Sequence, residues 1–227
     1  MPGSTSVFDA IKLPSLPLFG ALKKGEYDYL LDGTRREHYK KGELVHSHSG
    51  SCIGMLLVEK GRICATMLSG EGREAMLFRL TEGDSYILSE ACILRQVNFD
   101  VHIEAEQDTA ALIIPAQVIE TLTNSNLEFK SELYRMAALR FSEVLRNLQG
   151  MVFERVETRI ARFLLEEDKL TGSGGVLKLT HEGIAKYGGS AREVVTRTLT
   201  RLADDGAVAL GRGKVTIVDK AKLLALT

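Results

Sequence analysis

Between about residues 36 and 114, short runs of alternating apolar and polar residues are separated by glycines. The run Val101-His102-Ile103-Glu104-Ala105 has the two-residue period of a strand with one buried face. The glycines that mark turns recur at roughly ten-residue intervals, at Gly42, Gly50, Gly61, Gly70, Gly72 and Gly83. Many short strands with regular turns predict a β-sandwich or barrel, since both architectures protect their sheet edges.

After Pro115 the period becomes that of a helix. Apolar residues then recur at alternating spacings of three and four, the pattern of a coiled-coil stripe: Tyr134, Ala137, Phe141, Val144, Leu148 and Met151. A parallel homodimer would bury this stripe, and so would packing against the chain's own β domain. The spacing favours neither, although Arg140 beside the stripe weighs slightly against the dimer.

From Glu154 the pattern changes again, to short helices followed by a hairpin. The segment "VETRIARFLLEED" predicts an amphipathic helix, and "VLKL" predicts a short strand. Thr180 then precedes the helix "HEGIAKYG", which Gly188-Gly189 ends, and a further helix begins at Ser190. Two strands joined by "GRGK" complete the order, which is typical of a winged helix-turn-helix.

The helix that begins at Ser190 has an apolar face with Val195 and an opposite face with Arg192, Glu193 and Arg197. A guanidinium can donate two hydrogen bonds to guanine, and a carboxylate can accept one from cytosine, so this face suits the reading of base pairs. The alternative is purely local. Ser190 and Glu193 have the spacing of a capping box, and Glu193 with Arg197 has that of an ion pair worth ~0.2–0.5 kcal/mol.

Charge is distributed unevenly along the 227 residues. The net charge is −1, but residues 153–227 carry 13 Lys and Arg against 10 Asp and Glu, whereas residues 1–152 carry 16 against 20. This asymmetry indicates two parts with different partners. A near-neutral chain can therefore still bind nucleic acid through its C-terminal part.

The remaining composition argues against several classes of protein. No apolar run approaches the ~20 residues of a membrane span, and the first residues lack a signal-peptide pattern. Cys52, Cys64 and Cys92 form no CxxC pair, which disfavours disulfides and a thiolate zinc site. We expect a cytoplasmic protein with no membrane partner. No set of residues matches a catalytic motif, so we expect no enzyme.

The segment beginning at Thr180, "THEGIAKYGGSAREVVTRTLTRLADDGAVALGRGKVTIVD", resembles the DNA-binding module of the cyclic-AMP receptor protein and fumarate–nitrate regulator (Crp/Fnr) family. A weaker resemblance covers roughly residues 18–227 and includes "KKGELVHSHSG" and "LTEGDSYIL". It implies an α+β chain in three parts. These are a double-stranded β-roll sensor of cupin-like jelly-roll type (1–122), a long dimerisation helix (123–152) and a winged helix-turn-helix (153–227). The resemblance further implies that two copies of the chain form a homodimer, which binds a palindromic promoter site.

The same resemblance assigns roles to individual residues. The family's base-reading positions fall on Arg192, Glu193 and Arg197, which implies half-sites related to GTGA. Contacts to the DNA phosphates are implied for Thr180, Ser190, Thr200, Arg212 and Lys214. RNA polymerase is implied as a further partner.

The effector is less well defined by the sequence. The stretch "SYILSEACILRQVNFDV" lacks the Gly-Glu and Arg-Ser pairs that hold a cyclic phosphate in this family, and Arg95 is its only cation. A buried phosphate without a guanidinium partner is costly, so we do not expect cyclic AMP. The oxygen-sensing branch of the family holds an iron–sulfur cluster with four cysteines, most of them near the N-terminus. Here the first cysteine is Cys52, so we do not expect such a cluster. A haem-based sensor of gas or redox state remains an alternative, with histidines at positions 38, 46, 48 and 102.

We expect a small and mostly apolar effector between the "YILSEACIL" stretch and the long helix, in a pocket lined by Tyr86, Ile87, Leu88, Ser89, Cys92, Leu133 and Met136. Cys92 is either a redox or ligand residue or a buried small apolar one. The effector would shift the two domains about a hinge near residues 151–155. A second alternative is a β-roll protein whose helical tail docks a protein partner instead of DNA.

Overall fold

The computed structural model describes residues 16–46, 54–68, 74–87 and 101–227. The helices in this part of the chain are α1 Pro17–Gly20, α2 Lys24–Gly33, α3 Ala116–Ser125, α4 Leu127–Phe153, α5 Val156–Thr171, α6 His181–Gly188, α7 Arg192–Asp204 and α8 Lys220–Leu224. The strands are β1 Arg35–Tyr39, β2 Leu44–His46, β3 Met55–Lys60, β4 Arg62–Leu68, β5 Glu74–Thr81, β6 Ser85–Ile87, β7 Val101–Ala105, β8 Thr109–Ile114, β9 Val176–Leu177, β10 Val208–Gly211 and β11 Lys214–Ile217.

The first eight strands form two four-stranded sheets, with the orders β1-β8-β3-β6 and β2-β7-β4-β5. Strands distant in sequence are neighbours in both sheets, as in a double-stranded β-roll. Gly61 makes the tight turn between β3 and β4 at a φ of +103°, and a Cβ there would lie 2.5 Å from Thr109 Oγ1. The sequence-based expectation of a β-roll is therefore confirmed.

The chain divides into two compact units, one formed by residues up to Ala65 together with Arg79–Ser142, the other by Thr66–Phe78 together with Glu143–Thr227. In the first unit, α2, α3 and the start of α4 cover the sheet that contains β3 and β8. Its core consists of buried apolar side chains that include Leu18, Leu30, Met55, Leu57, Leu112, Ile114, Ile119, Leu122, Phe129 and Leu133. Asn126 separates α3 from α4, and its Oδ1 accepts a hydrogen bond from Phe129 N at 2.9 Å.

The second unit has the architecture of a winged helix-turn-helix. Its core is formed by α5, α6, α7 and the sheet β10-β11-β9. Val195, Leu199 and Leu202 of α7 are all buried in this core, where each side chain stabilises the fold by about 1.5–3 kcal/mol relative to exposure. Burial of this face leaves the opposite face of α7 for solvent or a partner.

The expected start of α7 at Ser190 is wrong. Gly189 is left-handed (φ +54°), Ala191 is extended (φ −69°, ψ 146°), and the first helical residue is Arg192. The left-handed glycine ends α6, and two non-helical residues are then needed to redirect the chain. Among the described residues, no side chain forms a capping hydrogen bond with α7.

Within the described ranges, no helix has both the length and the apolar character that crossing a membrane requires. The longest helix, α4, carries Lys, Arg and Glu side chains along its length.

Candidate nucleic-acid interface

Local hydrogen bonds fix the positions of α6 and α7. Thr180 caps α6, because its Oγ1 accepts a hydrogen bond from Gly183 N at 3.0 Å. His181, the first residue of α6, lies with its Nδ1 2.9 Å from Thr196 Oγ1 on α7. This contact joins the start of the first helix to the middle of the second.

The first two turns of α7 carry three exposed charged side chains: Arg192, Glu193 and Arg197. Among the residues that the structure describes, none of the three side chains makes a hydrogen bond or an ion pair. Neither the local capping box nor the Glu193–Arg197 ion pair forms. Glu193 is close to the N-terminus of α7, where the helix dipole favours a negative charge. Both guanidiniums and the carboxylate are therefore available to an incoming partner.

The other polar side chains of α7 bond within the protein. The hydroxyls of Thr196, Thr198 and Thr200 each donate to the carbonyl four residues earlier, at 2.8–3.0 Å. Arg201 forms an ion pair with Glu157 of α5, and this carboxylate raises the pKa of Arg201. Charge that is free to contact a partner is thereby concentrated at the N-terminal part of α7.

The five residues expected to contact phosphates differ in their readiness to do so. The capping Thr180 uses an oxygen lone pair for Gly183, so its hydroxyl proton remains able to donate. The hydroxyl of Thr200 donates to Thr196 O at 3.0 Å and must leave this bond to reach a phosphate. Ser190 is half-buried between α6 and α7. Arg212 and Lys214 are exposed at the tip of the β10–β11 hairpin, on either side of Gly213 (φ +67°).

The stripe along α4 is partly exposed in the single chain. Tyr134 and Phe141 are 46% and 62% exposed, whereas Ala137, Val144, Leu148 and Met151 are half-buried. Packing onto the chain's own β domain is instead performed by Phe129 and Leu133, which are buried. Arg140, beside the stripe, donates to Ser85 O at 3.1 Å.

Part of the expected effector pocket can be located. Tyr86 is half-buried on β6, Leu133 lies in the core of the first unit, and Met136 packs against that core. Ile87 ends β6. Leu88, Ser89 and Cys92 lie outside the described residues.

The histidines weighed for haem are dispersed. His38 is exposed on β1, and His102 is half-buried on β7. His46 ends β2, and His48 lies outside the described residues. No group of three His, Cys, Asp or Glu in the described part of the chain could hold a metal ion.

Two contacts within the second unit have no local sequence signal. Lys186 of α6 pairs with Glu74 of β5 at 2.7 Å, and Asn147 of α4 donates to Leu77 O of β5 at 2.6 Å. Both join residues about 70 or more positions apart, beyond the reach of helix or strand periodicity. They attach strand β5 to helices α4 and α6 of the second unit.

The protein combines three features: a β-roll, a long helix with a partly exposed apolar stripe, and a winged helix-turn-helix with exposed arginines. This combination is typical of regulators that couple a sensor domain to DNA binding. Residues 36–126 match the model of the cyclic nucleotide-binding domain, and residues 158–226 match that of the Crp-like helix-turn-helix domain.

Known proteins of this kind are similar over nearly the whole chain. The crystal structure of a Eubacterium rectale protein, described as a transcriptional regulator of the Crp/Fnr family, is 38% identical with a TM-score of 0.88, covering 93% of this chain and 97% of that one. The cyclic AMP receptor protein of Thermus thermophilus is 28% identical over 91% of this chain and 94% of its own length. FixK2 of Bradyrhizobium japonicum shares the fold, with 20% identity, a TM-score of 0.68, and coverage of 85% of this chain and 96% of that one.

The chain belongs to the Crp/Fnr family. It is a transcription regulator of the Crp/Fnr type with a helix-turn-helix DNA-binding domain.

Proposed function

We propose that the protein binds, as a homodimer, a palindromic promoter site with GTGA-like half-sites. One observation carries the proposal: Arg192, Glu193 and Arg197 are exposed on α7 and have no partner in the described part of the chain. Base reading explains all three side chains, whereas the dipole of a purely structural helix would favour Glu193 but not the guanidinium of Arg192 beside it. Residues near the N-terminus of a recognition helix are those that reach base edges in the major groove.

Each of the three side chains has a distinct role in this proposal. Arg192 donates two hydrogen bonds to guanine O6 and N7, and Glu193 accepts one from the amino group of cytosine. Arg197 reads a further base of the half-site. Thr180, Ser190, Thr200, Arg212 and Lys214 hold phosphates, which fixes the register of α7 and supplies the salt-dependent part of the affinity.

The dimer follows from the stripe on α4. Two copies of the helix in parallel would bury Tyr134 and Phe141, which a single chain leaves exposed. A two-fold axis along this seam places two recognition helices for two half-sites, so the palindrome of the DNA reflects the symmetry of the protein. We assign residues 1–122 to sensing, 123–152 to dimerisation and 153–227 to DNA binding.

The proposed effector is a small molecule or redox signal other than cyclic AMP. The sequence around Arg95 lacks the paired residues that hold a cyclic phosphate in this family. The effector shifts an equilibrium between two placements of the domains about the break between α4 and α5. We place the protein in the cytoplasm, with RNA polymerase as a partner and no catalytic activity.

Selection from randomised duplexes tests the proposal. Wild-type protein should enrich a palindrome with GTGA-like half-sites, while a variant with Arg192, Glu193 and Arg197 all changed to Ala should enrich nothing. A variant with Glu182, Lys169 and Lys178 changed to Ala serves as the control, since these exposed charges lie outside α7. If wild-type protein returns no preferred palindrome with any oxidant, reductant or cell extract added, sequence-specific DNA binding is wrong.

A further inference from the structure

A single half-buried side chain, Arg159 of α5, connects the end of α4 to the helix-turn-helix. Its Nη1 donates to three backbone oxygens at the junction of α4 and α5: those of Gly150 (3.4 Å), Met151 (3.1 Å) and Glu154 (2.7 Å). Its Nε donates to the oxygen of Gly188, the last residue of α6, at 2.9 Å. One guanidinium therefore binds the C-terminal ends of two helices.

The carbonyls of Met151 and Gly188 lie in the last turns of α4 and α6. Gly150 O also accepts from Glu154 N at 3.0 Å, and Glu154 lies in the junction after α4. The last four carbonyls of any α-helix have no donor within the helix, and the C-terminal end carries partial negative charge. A cation that donates hydrogen bonds supplies the missing donors and also offsets the partial negative charge. Burial lowers the pKa of Arg159, while Glu154 acts in the opposite direction. The half-buried charge is stabilised by its four acceptors.

A second contact joins the same two helix ends. An ideal Cβ on Gly189 would lie 3.1 Å from Met151 Sδ, so the thioether packs directly against the backbone of the turn between α6 and α7. Met151 is the last residue of the α4 stripe, and Gly189 lies three residues before Arg192. The end of the dimer seam thus touches the segment that leads into α7.

We propose that Arg159 is the positioning residue that holds the recognition helix in a fixed orientation to the end of α4. A change in α4 at the seam reaches Arg192 and Glu193 through the four carbonyls and the Met151–Gly189 contact. This inference rests on the proposed DNA binding. All of its contacts lie within the second compact unit.

The chemistry requires arginine at this position. The acceptors lie at two separate helix ends, and the planar guanidinium presents five donors in a rigid fork that can reach both. A lysine ammonium keeps the charge but is a point donor on a flexible stem. Arg159→Lys therefore separates the geometric role from the electrostatic one.

The experiment compares Arg159→Lys and Arg159→Gln with the same changes at Arg155. Arg155 is a matched control, since it is an exposed arginine in the same junction and its side chain has no partner among the described residues. Fluorescence anisotropy measures affinity for the selected palindrome and for a shuffled duplex. We expect Arg159→Lys to lose roughly tenfold in affinity for the palindrome, the effect of one misplaced bidentate base contact. Its affinity for the shuffled duplex and its salt slope stay unchanged. Arg155→Lys should match wild type.

Hydrogen exchange gives a readout that does not depend on DNA. Arg159→Lys should speed exchange of the amides in residues 150–155 and 188–192 together, while those of β10 and β11 keep wild-type rates. A Lys variant that binds the palindrome like wild type, or that merely melts earlier with full affinity per folded molecule, overturns the inference and leaves the proposed function intact. If wild-type protein has no preferred duplex, the proposed function fails. The hydrogen-exchange experiment then still tests whether Arg159 links the end of α4 to the turn before α7.

Discussion

At the scale of single residues, the surroundings of an arginine decide its role in this protein. Arg192 and Arg197 are exposed with no partner in the described part of the chain, so they can exchange water for base edges on binding. Arg201, on the same helix, is held by Glu157. Arg159 is half-buried on backbone carbonyls. Identical side chains thus occupy three different settings: unpaired in solvent, ion-paired at the surface, and half-buried on backbone carbonyls.

Glu193→Ala tests base reading by a single residue. Loss of the acceptor should lower discrimination at one C·G pair by ~1–3 kcal/mol. The melting temperature should fall only slightly, because within the described structure Glu193 has no bond and interacts only with the helix dipole. Competition anisotropy with single-base variants of the selected site measures the loss. Glu182→Ala, in the first turn of α6, should leave discrimination unchanged. Earlier melting with intact discrimination would favour a purely structural role for Glu193.

At the scale of elements, the periodicity of the sequence predicted those features that depend on residues close together in the chain. The apolar face of α7, the turns at Gly42, Gly61 and Gly83, and the strand β9 all follow from two-residue or helical spacing and from turn residues, while Gly50, Gly70 and Gly72 lie outside the described residues. The start of α7 was predicted at Ser190 but lies at Arg192, because the left-handed Gly189 and the extended Ala191 leave the chain non-helical for longer than the cap pattern indicates.

Contacts between different helices and strands could not be predicted from the sequence. Arg201 lies on the polar side of α7, yet its partner Glu157 is 44 residues away, and Arg159 bonds to Gly188 29 residues away. Such pairings depend on how helices pack against each other, which no local pattern records. The free charges of Arg192, Glu193 and Arg197 could be predicted as a face of the helix. Their lack of competing partners could be seen only in the folded chain.

The β10–β11 hairpin carries a prediction of its own. Lys214→Ala should weaken binding to all duplexes about equally and reduce the slope of log affinity against log salt by roughly one, because one phosphate contact is lost. Titrations of the selected and shuffled duplexes over a range of KCl measure this. Lys169→Ala, an exposed lysine at the end of α5, is the control. An unchanged slope would remove the hairpin from the DNA contacts.

At the scale of the whole molecule, the apolar stripe on α4 determines the oligomeric state that we propose. A single chain leaves its aromatic residues exposed, and a parallel copy would cover them. The same helix carries apolar residues on other faces, such as Leu139, which is 59% exposed. Position around the helix, rather than exposure alone, should therefore decide which substitution disrupts assembly.

Phe141→Glu should convert the dimer to a monomer, because two carboxylates would face each other across the seam without a counter-charge. Native mass spectrometry at micromolar protein concentration should show about half the wild-type mass. Leu139→Glu introduces the same charge on an equally exposed residue outside the stripe and should remain dimeric. If both variants keep the wild-type mass, the stripe is not the interface.

The attachment of the β5 strand to the helices has a practical consequence for dissecting this regulator. Truncation before Glu143 would produce a fragment that keeps the end of α4 and the helices α5 to α8 but loses Glu74 and Leu77, the partners of Lys186 and Asn147. Such a fragment is not an autonomous module cut at a natural border. Its behaviour in isolation would describe a damaged unit, and the full-length chain is the better starting material for measuring intrinsic affinity.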